Sequence, residues 1–175
     1  MTTIPMNATV AFLAERFNKA PSWYRYANTY DMLADLATPV VADIRTDDAF
    51  GDLAQLQHCF LNCWNIVNDF TGYTYCEGLA LRMGVWIDHA WVIDEQGTII
   101  DPTWSLLESS REDQRAIYQG IPFADEFLFR HGIERGWVAF ISSDWRWDHP
   151  ALKRGFIFDD AGRACDYGPI PKEDA

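Results

Sequence analysis

His89-Ala90-Trp91-Val92-Ile93-Asp94-Glu95-Gln96-Gly97-Thr98-Ile99-Ile100-Asp101-Pro102-Thr103 reads as two short strands joined by a tight turn. The β-branched and aromatic runs at 88–94 and 98–101 are strand-like, Glu95-Gln96-Gly97 is a hairpin loop, and Pro102 ends the second strand. Period-two alternation puts His89, Trp91 and Ile93 on one face. A three-residue loop pairs Asp94 with Thr98 and sets Trp91 opposite Asp101. His89 and Asp101 then share a face as diagonal neighbours, about 7–8 Å apart along the backbone and within side-chain reach. A two-residue loop would reverse the parity and separate them. The register of this one turn therefore decides both the fold and the chemistry open to the chain.

Upstream, Tyr73 to Leu81 is a further strand, and Gly72 separates it from the clearest helical pattern in the sequence. Leu56, Phe60, Cys63, Trp64 and Val67 recur at spacings of three and four, which predicts a helix over about 57–70. The first 55 residues read as helical: a short amphipathic segment around Val10, Leu13 and Phe17 closed by Pro21, then a second from Tyr24 to Ala37, ended before Pro39. The stretch from Asp47 to Gln55 is an irregular approach. Downstream, Ser105 to Tyr118 reads as helical, Gly120-Ile121-Pro122-Phe123 as a turn, Gly136 to Ile141 and Phe156 to Phe158 as strands, and Asp159 to Gly162 as a turn. The last seven residues read as frayed. Helices first and strands after, without βαβ alternation, indicate an α+β fold with an antiparallel sheet. The length fits one domain, with a helical part at 1–55, a core at 56–124 and C-terminal strands and tail at 125–175.

Composition narrows the function classes. The 175 residues carry a formal charge of −12, which repels phosphate backbones and anionic lipid heads, so neither nucleic acid nor membrane is an expected partner. On steering grounds the same charge favours a cationic or neutral substrate. The apolar stretch from Gly78 to Ile87 is interrupted by Arg82 and is too short to span a bilayer. The start of the chain lacks the basic and apolar regions of a secretory signal, so the four cysteines are expected to be reduced, in a cytoplasm. Eight tryptophans suit a packed core with some left to line a cleft.

Each thiol then needs a purpose. Cys59 falls in the first turn of the predicted helix, where unpaired backbone N–H groups favour an anion, and beside the apolar stripe rather than within it. Cys63 lies inside the stripe as a small core hydrophobe, and Cys76 reads as a packed thiol in its strand. A base supplied from elsewhere in the chain completes a nucleophile, and His89 with Asp101 behind it fits that role. His58 is an alternative base, but neighbours on a helix point about 100° apart. The Cys59 N–H is the expected oxyanion donor, with Gln55 or Gln57 as side-chain donors. Trp91, Trp104 and Glu77 join these as substrate-contact candidates. Glu77 sits in an otherwise apolar row, so it is either a buried, paired carboxylate or a substrate contact. Zinc is the competing chemistry: His58 or Cys59 with Cys63 and Cys76 offers ligands, yet without a Cys-x-x-Cys pair. No cofactor is required. Trp145-Arg146-Trp147-Asp148-His149 reads as a cleft rim or partner site, or as a surface turn with one buried tryptophan, while His131 and Asp94 read as structural.

His89-Ala90-Trp91-Val92, followed twelve residues after His89 by Asp101-Pro102-Thr103, resembles the histidine and aspartate motifs of the transglutaminase-like superfamily. Cys59 stands where that superfamily has its cysteine, at the head of a helix upstream of both strands. The chain is more closely similar to a set of bacterial and phage-encoded proteins of uncharacterised function. That similarity runs through Cys59-Phe60-Leu61-Asn62, Tyr75-Cys76-Glu77-Gly78, His89-Ala90-Trp91, Asp101-Pro102-Thr103-Trp104 and Tyr118-Gln119-Gly120-Ile121-Pro122-Phe123, over about positions 57 to 124. The resemblance implies a papain-like core and a Cys-His-Asp triad performing acyl transfer on an amide, with a protein, peptide or small amide as substrate. Hydrolysis and transamidation both remain open, as does a binding module that keeps the fold without turnover. A role in infection or cell-envelope processing would follow from the phage and bacterial likeness. The chain departs from the superfamily just before the cysteine, where Gln57-His58 replaces the usual glycine.

Overall fold

The computed structural model describes residues 13–15, 20–45, 47, 50, 53–107, 115–136 and 139–170. In chain order these hold α1 (Thr29–Leu36), β1 (Val40–Asp43), α2 (Cys59–Asp69), β2 (Tyr73–Arg82), β3 (Val85–Asp94), β4 (Ile99–Ile100), β5 (Arg115–Pro122), α3 (Asp125–Arg135), α4 (Pro150–Arg154), β6 (Phe156–Phe158) and β7 (Ala164–Tyr167). Helix and antiparallel sheet are mixed without βαβ alternation.

Five strands form one sheet in the order β1-β5-β2-β3-β4, every pair antiparallel. The Asp101 N–H donates to the Arg45 carbonyl at 2.8 Å, linking the chain beyond β4 to the chain beyond β1 and drawing the two edges of the sheet together. The sheet is therefore nearly closed, with an inner and an outer apolar face. The inner face packs Cys76, Ala80, Trp91, Ile99, Trp104, Ala116 and Tyr118. The outer face, through Tyr75, Leu79, Ala90, Val92, Ile121 and Phe123, meets the buried residues of the helices in the larger core. β6 and β7 make a separate two-stranded sheet.

Loop chemistry explains the strand pairing. β2 and β3 join through Met83 and Gly84, both at positive φ (51° and 79°), the backbone of a two-residue hairpin turn whose twist suits the strands. Between β3 and β4, the Asp94 carboxylate accepts the N–H groups of Gln96 and Thr98, and the Asp94 N–H donates to the Thr98 carbonyl. The loop is thus Glu95-Gln96-Gly97, and the register runs Ile93↔Ile99 and Val92↔Ile100. Gly78 and Gly120 face each other where β2 crosses β5: a Cβ on Gly78 would lie 2.3 Å from the Gln119 carbonyl oxygen, and one on Gly120 would lie 2.5 Å from the Trp91 ring.

Several sequence expectations are corrected. The segment Tyr24–Ala37 is helical only over Thr29–Leu36, because the Arg25 and Tyr26 N–H groups bond to the Lys153 and Leu152 carbonyls and Asn28 caps the helix that follows. Arg115 to Tyr118, read as helix, and Gly120 to Phe123, read as a turn, lie instead in or against β5, where Gly120 serves close packing rather than a bend. The expected strand at 136–141 is absent in its described part: Ala139, Phe140 and Ile141 are buried outside any strand. Strand β1 and helix α3 were not expected. Of the first expected helix, 13–15 is described and helical, and the rest falls outside the described residues. The stretch at 108–114, most of that at 46–52 and the last five residues lie outside as well. Trp145 and Trp147 are both exposed, in a short 3-10 turn (Asp144–Trp147), so the expected buried tryptophan is missing there.

Candidate active site

The site is built from four local events. β4 is only two residues long, so its ladder with β3 stops at Val92 and leaves the His89 end of β3 without a partner on that side. Beyond β4 the chain turns at Asp101-Pro102 into a 3-10 helix (Trp104–Leu106). Pro102 has no N–H, and the Asp101 Oδ1 accepts the next two, from Thr103 at 3.1 Å and Trp104 at 2.8 Å. Asp101 Oδ2 then accepts the Tyr118 hydroxyl at 2.9 Å and lies 2.8 Å from His89 Nε2. Four donors surround a carboxylate that is completely buried, which is how an ionised group is tolerated away from water.

His89 is held on three sides. Trp104 stacks on its imidazole with ring centroids 4.1 Å apart and planes 17° apart, and Tyr118 flanks it at 6.4 Å. With Nε2 committed to Asp101, the other ring nitrogen is left for Cys59, with which the ring shares a side-chain hydrogen bond. Burial pulls the imidazole pKa down, but the charge and hydrogen bond of Asp101, aided by Cys59, outweigh it and push the value up to about 9. The imidazolium is thus favoured at neutral pH, beside Cys59.

Cys59 is the first residue of α2, and the N-cap residue His58 makes no side-chain capping bond. The first turn also carries no acidic residue, so no carboxylate offsets the positive end of the helix. Helix entry is tight: Gln57 sits at φ 66°, a left-handed backbone that glycine adopts more readily.

The other two buried thiols differ. Cys63 is raised well above the usual thiol value by burial first, then by Asp101, Cys59 and Cys76. Cys76 is raised by burial as well. Both are core thiols. One expectation for α2 needs correction: its buried face is Cys59, Asn62, Cys63 and Ile66, while Phe60, Trp64 and Val67 flank it half-buried and Leu56 is exposed. Apolar periodicity missed this rotation because the pivot, Asn62, is polar.

The remaining candidates separate cleanly. Glu77 is fully buried on the outer face and accepts the N–H groups of Phe140 (2.6 Å), Ile141 (2.8 Å) and Ser142 (2.7 Å), which makes it a paired carboxylate and not a substrate contact. Trp91 is buried on the inner face against Tyr118, and the buried Trp104 stacks on His89. Gln55 is fixed through its backbone to Asn62, and the exposed Gln57 enters the helix by its φ. His58 is exposed at the helix cap. Among the described residues no group of three His, Cys, Asp or Glu is arranged to hold a metal ion, so the zinc alternative has no ligand set there. Sequence reasoning missed Tyr118 and Asn62. A buried hydroxyl on a neighbouring strand and a polar residue on a buried helical face leave no signature in spacing.

Among the described residues no helix is long and apolar enough to cross a membrane. Comparison of the chain with family models, with curated proteins and with solved structures finds no match.

Proposed function

We propose that the protein is a thiol-dependent acyl-transfer enzyme of transglutaminase-like type, with a papain-like core, acting on an amide or peptide carbonyl. The observation that carries this reading is the joined chain Cys59–His89–Asp101, with the thiol at an uncapped helix end and the carboxylate holding the imidazole. A merely packed cysteine needs no such base, and a merely packed histidine needs no such carboxylate.

In the reaction, Cys59 and His89 act as a thiolate–imidazolium pair, the proton lost by the thiol being held on the ring. The thiolate attacks the substrate carbonyl carbon, and the C=O electron pair moves to oxygen, where the Cys59 backbone N–H stabilises the oxyanion. Collapse breaks the C–N bond, and His89 returns the proton to the leaving amine. Water or a second amine, deprotonated by His89, then attacks the thioester and releases Cys59 as thiol. The identity of this second nucleophile separates hydrolysis from transamidation.

The test is a screen of glutamine-containing and peptide amides for released ammonia or amine, with and without an added primary amine. Turnover by the wild type, lowered by about 10⁴ or more in Cys59→Ala and by about 10² to 10⁴ in His89→Ala, supports the reading. Turnover unaffected by Cys59→Ala contradicts it.

A further inference from the structure

Asn62 lies one turn into α2, three residues after Cys59, and only 2% of its surface reaches solvent. Its carboxamide is fully committed. Oδ1 accepts the Gln55 N–H at 3.0 Å, and Nδ2 donates to the Gln55 carbonyl at 2.7 Å and to the Thr103 hydroxyl at 2.8 Å. The Asn62 N–H, bonded to the His58 carbonyl at 2.8 Å, also closes the first turn of the helix.

These bonds tie together the two halves of the candidate site, which come from segments about forty residues apart. Gln55 lies just before the left-handed Gln57 and the Cys59 thiol. Thr103 lies in the turn whose N–H groups hold the Asp101 carboxylate. A leucine of similar size would fill the space, leave the Gln55 N–H unpaired and leave the Gln55 carbonyl only the 3.4 Å bond from the His58 N–H. An aspartate would accept from Gln55 but could donate neither to the Gln55 carbonyl nor to the Thr103 hydroxyl. Only a side chain with both an acceptor and two donors satisfies all three contacts at once.

We infer that Asn62 is a positioning residue for the reaction, its carboxamide setting where the Cys59 end of α2 stands relative to the His89–Asp101 pair. This rests on the acyl-transfer reading and extends it to a residue that touches neither substrate nor the reacting atoms. Misplacing a reacting group by about 1 Å can cost about 10²-fold in rate, so a clamp this close to Cys59 acts on chemistry as well as on folding.

The experiment measures the His89-dependent part of Cys59 alkylation by iodoacetamide, defined as the rate in the native protein relative to His89→Ala. It is made in the wild type, Asn62→Ala, Thr103→Val and Thr103→Ser, with urea midpoints taken in parallel. Thr103→Val keeps both Gln55 bonds and deletes only the cross-link, so it remains informative if Asn62→Ala does not fold. The expected result is a loss of about tenfold or more of the His89-dependent rate in Thr103→Val, a rate near wild type in Thr103→Ser, and no loss beyond that of Asn62→Ala alone when Thr103→Val is added to it. A folded Thr103→Val that alkylates at the wild-type rate, with His89 still needed in the wild type, overturns the positioning role alone. Wild-type Cys59 that is indifferent to His89 overturns the acyl-transfer reading, and the positioning role with it.

Discussion

Asp101 Oδ2 is shared by two donors, His89 Nε2 at 2.8 Å and the Tyr118 hydroxyl at 2.9 Å, inside a cluster walled by Trp104 and Trp91. Tyr118 therefore fixes the direction in which the carboxylate faces the imidazole. Tyr118→Phe keeps the ring and removes one bond to a buried charge, so it is expected to lower stability by about 1.5–3 kcal/mol in urea unfolding and to loosen His89. An unchanged midpoint would show that the hydroxyl bond is idle. The raised pKa of His89 has its own signature. Its protonated form is favoured by folding, so its contribution to stability is fully present below its unfolded value, about 6.5, and is lost as pH rises through about 9.

At the scale of elements, two features hold the site's strands. Gly78 pairs with His89 across β2 and β3 and faces Gly120 across β2 and β5. A Cβ on Gly78 would lie 2.3 Å from a backbone carbonyl oxygen, which cannot move without opening the sheet. Gly78→Ala is expected to destabilise the protein by about 3 kcal/mol or to prevent folding, as read by circular dichroism and urea titration. A midpoint within error of the wild type would contradict the close packing. Glu77, next to it, anchors the loop at 140–142 to the outer face. Burial pushes its carboxyl up to about 7, against three backbone donors that pull it down. Because the folded-state value is raised, its contribution is present below the unfolded value, about 4.3, and is lost as pH rises through about 7. Stability of the wild type relative to Glu77→Gln is therefore expected to fall between pH 4.5 and 8. A constant difference across that range would contradict the assignment. These same elements explain what the sequence could and could not reveal. The Glu95-Gln96-Gly97 loop was legible because side-chain parity follows from loop length alone. The run at 136–141 has the apolar content of a strand, but Glu77 takes its N–H groups, and no local pattern announces a partner that far along the chain. Helix α3 was hidden because Phe129 and Ile133 point outward while Phe127 and Leu128 are buried, which erases the 3.6-residue period.

For the whole molecule, a nearly closed antiparallel sheet, a helix carrying Cys59 at its start and two turns bring Cys59, His89 and Asp101 into one chain of contacts. The approach of His89 to Asp101 could be read in the sequence because the two residues share a single hairpin. The supports, Tyr118 and Asn62, could not, because they arrive from a different strand and from a polar position on a buried face. The free thiols offer the most direct check, since access and chemistry rank them oppositely. Cys165 is partly exposed, whereas Cys59 has only 9% of its surface in solvent and Cys63 and Cys76 are sealed in the core. Native protein is treated briefly with limiting iodoacetamide at neutral pH and the labelled cysteine mapped by mass spectrometry, alongside His89→Ala. Labelling of Cys59 ahead of Cys165, lost in His89→Ala, is the predicted result. Labelling confined to Cys165, or of Cys59 at the same rate without His89, would contradict a primed nucleophile.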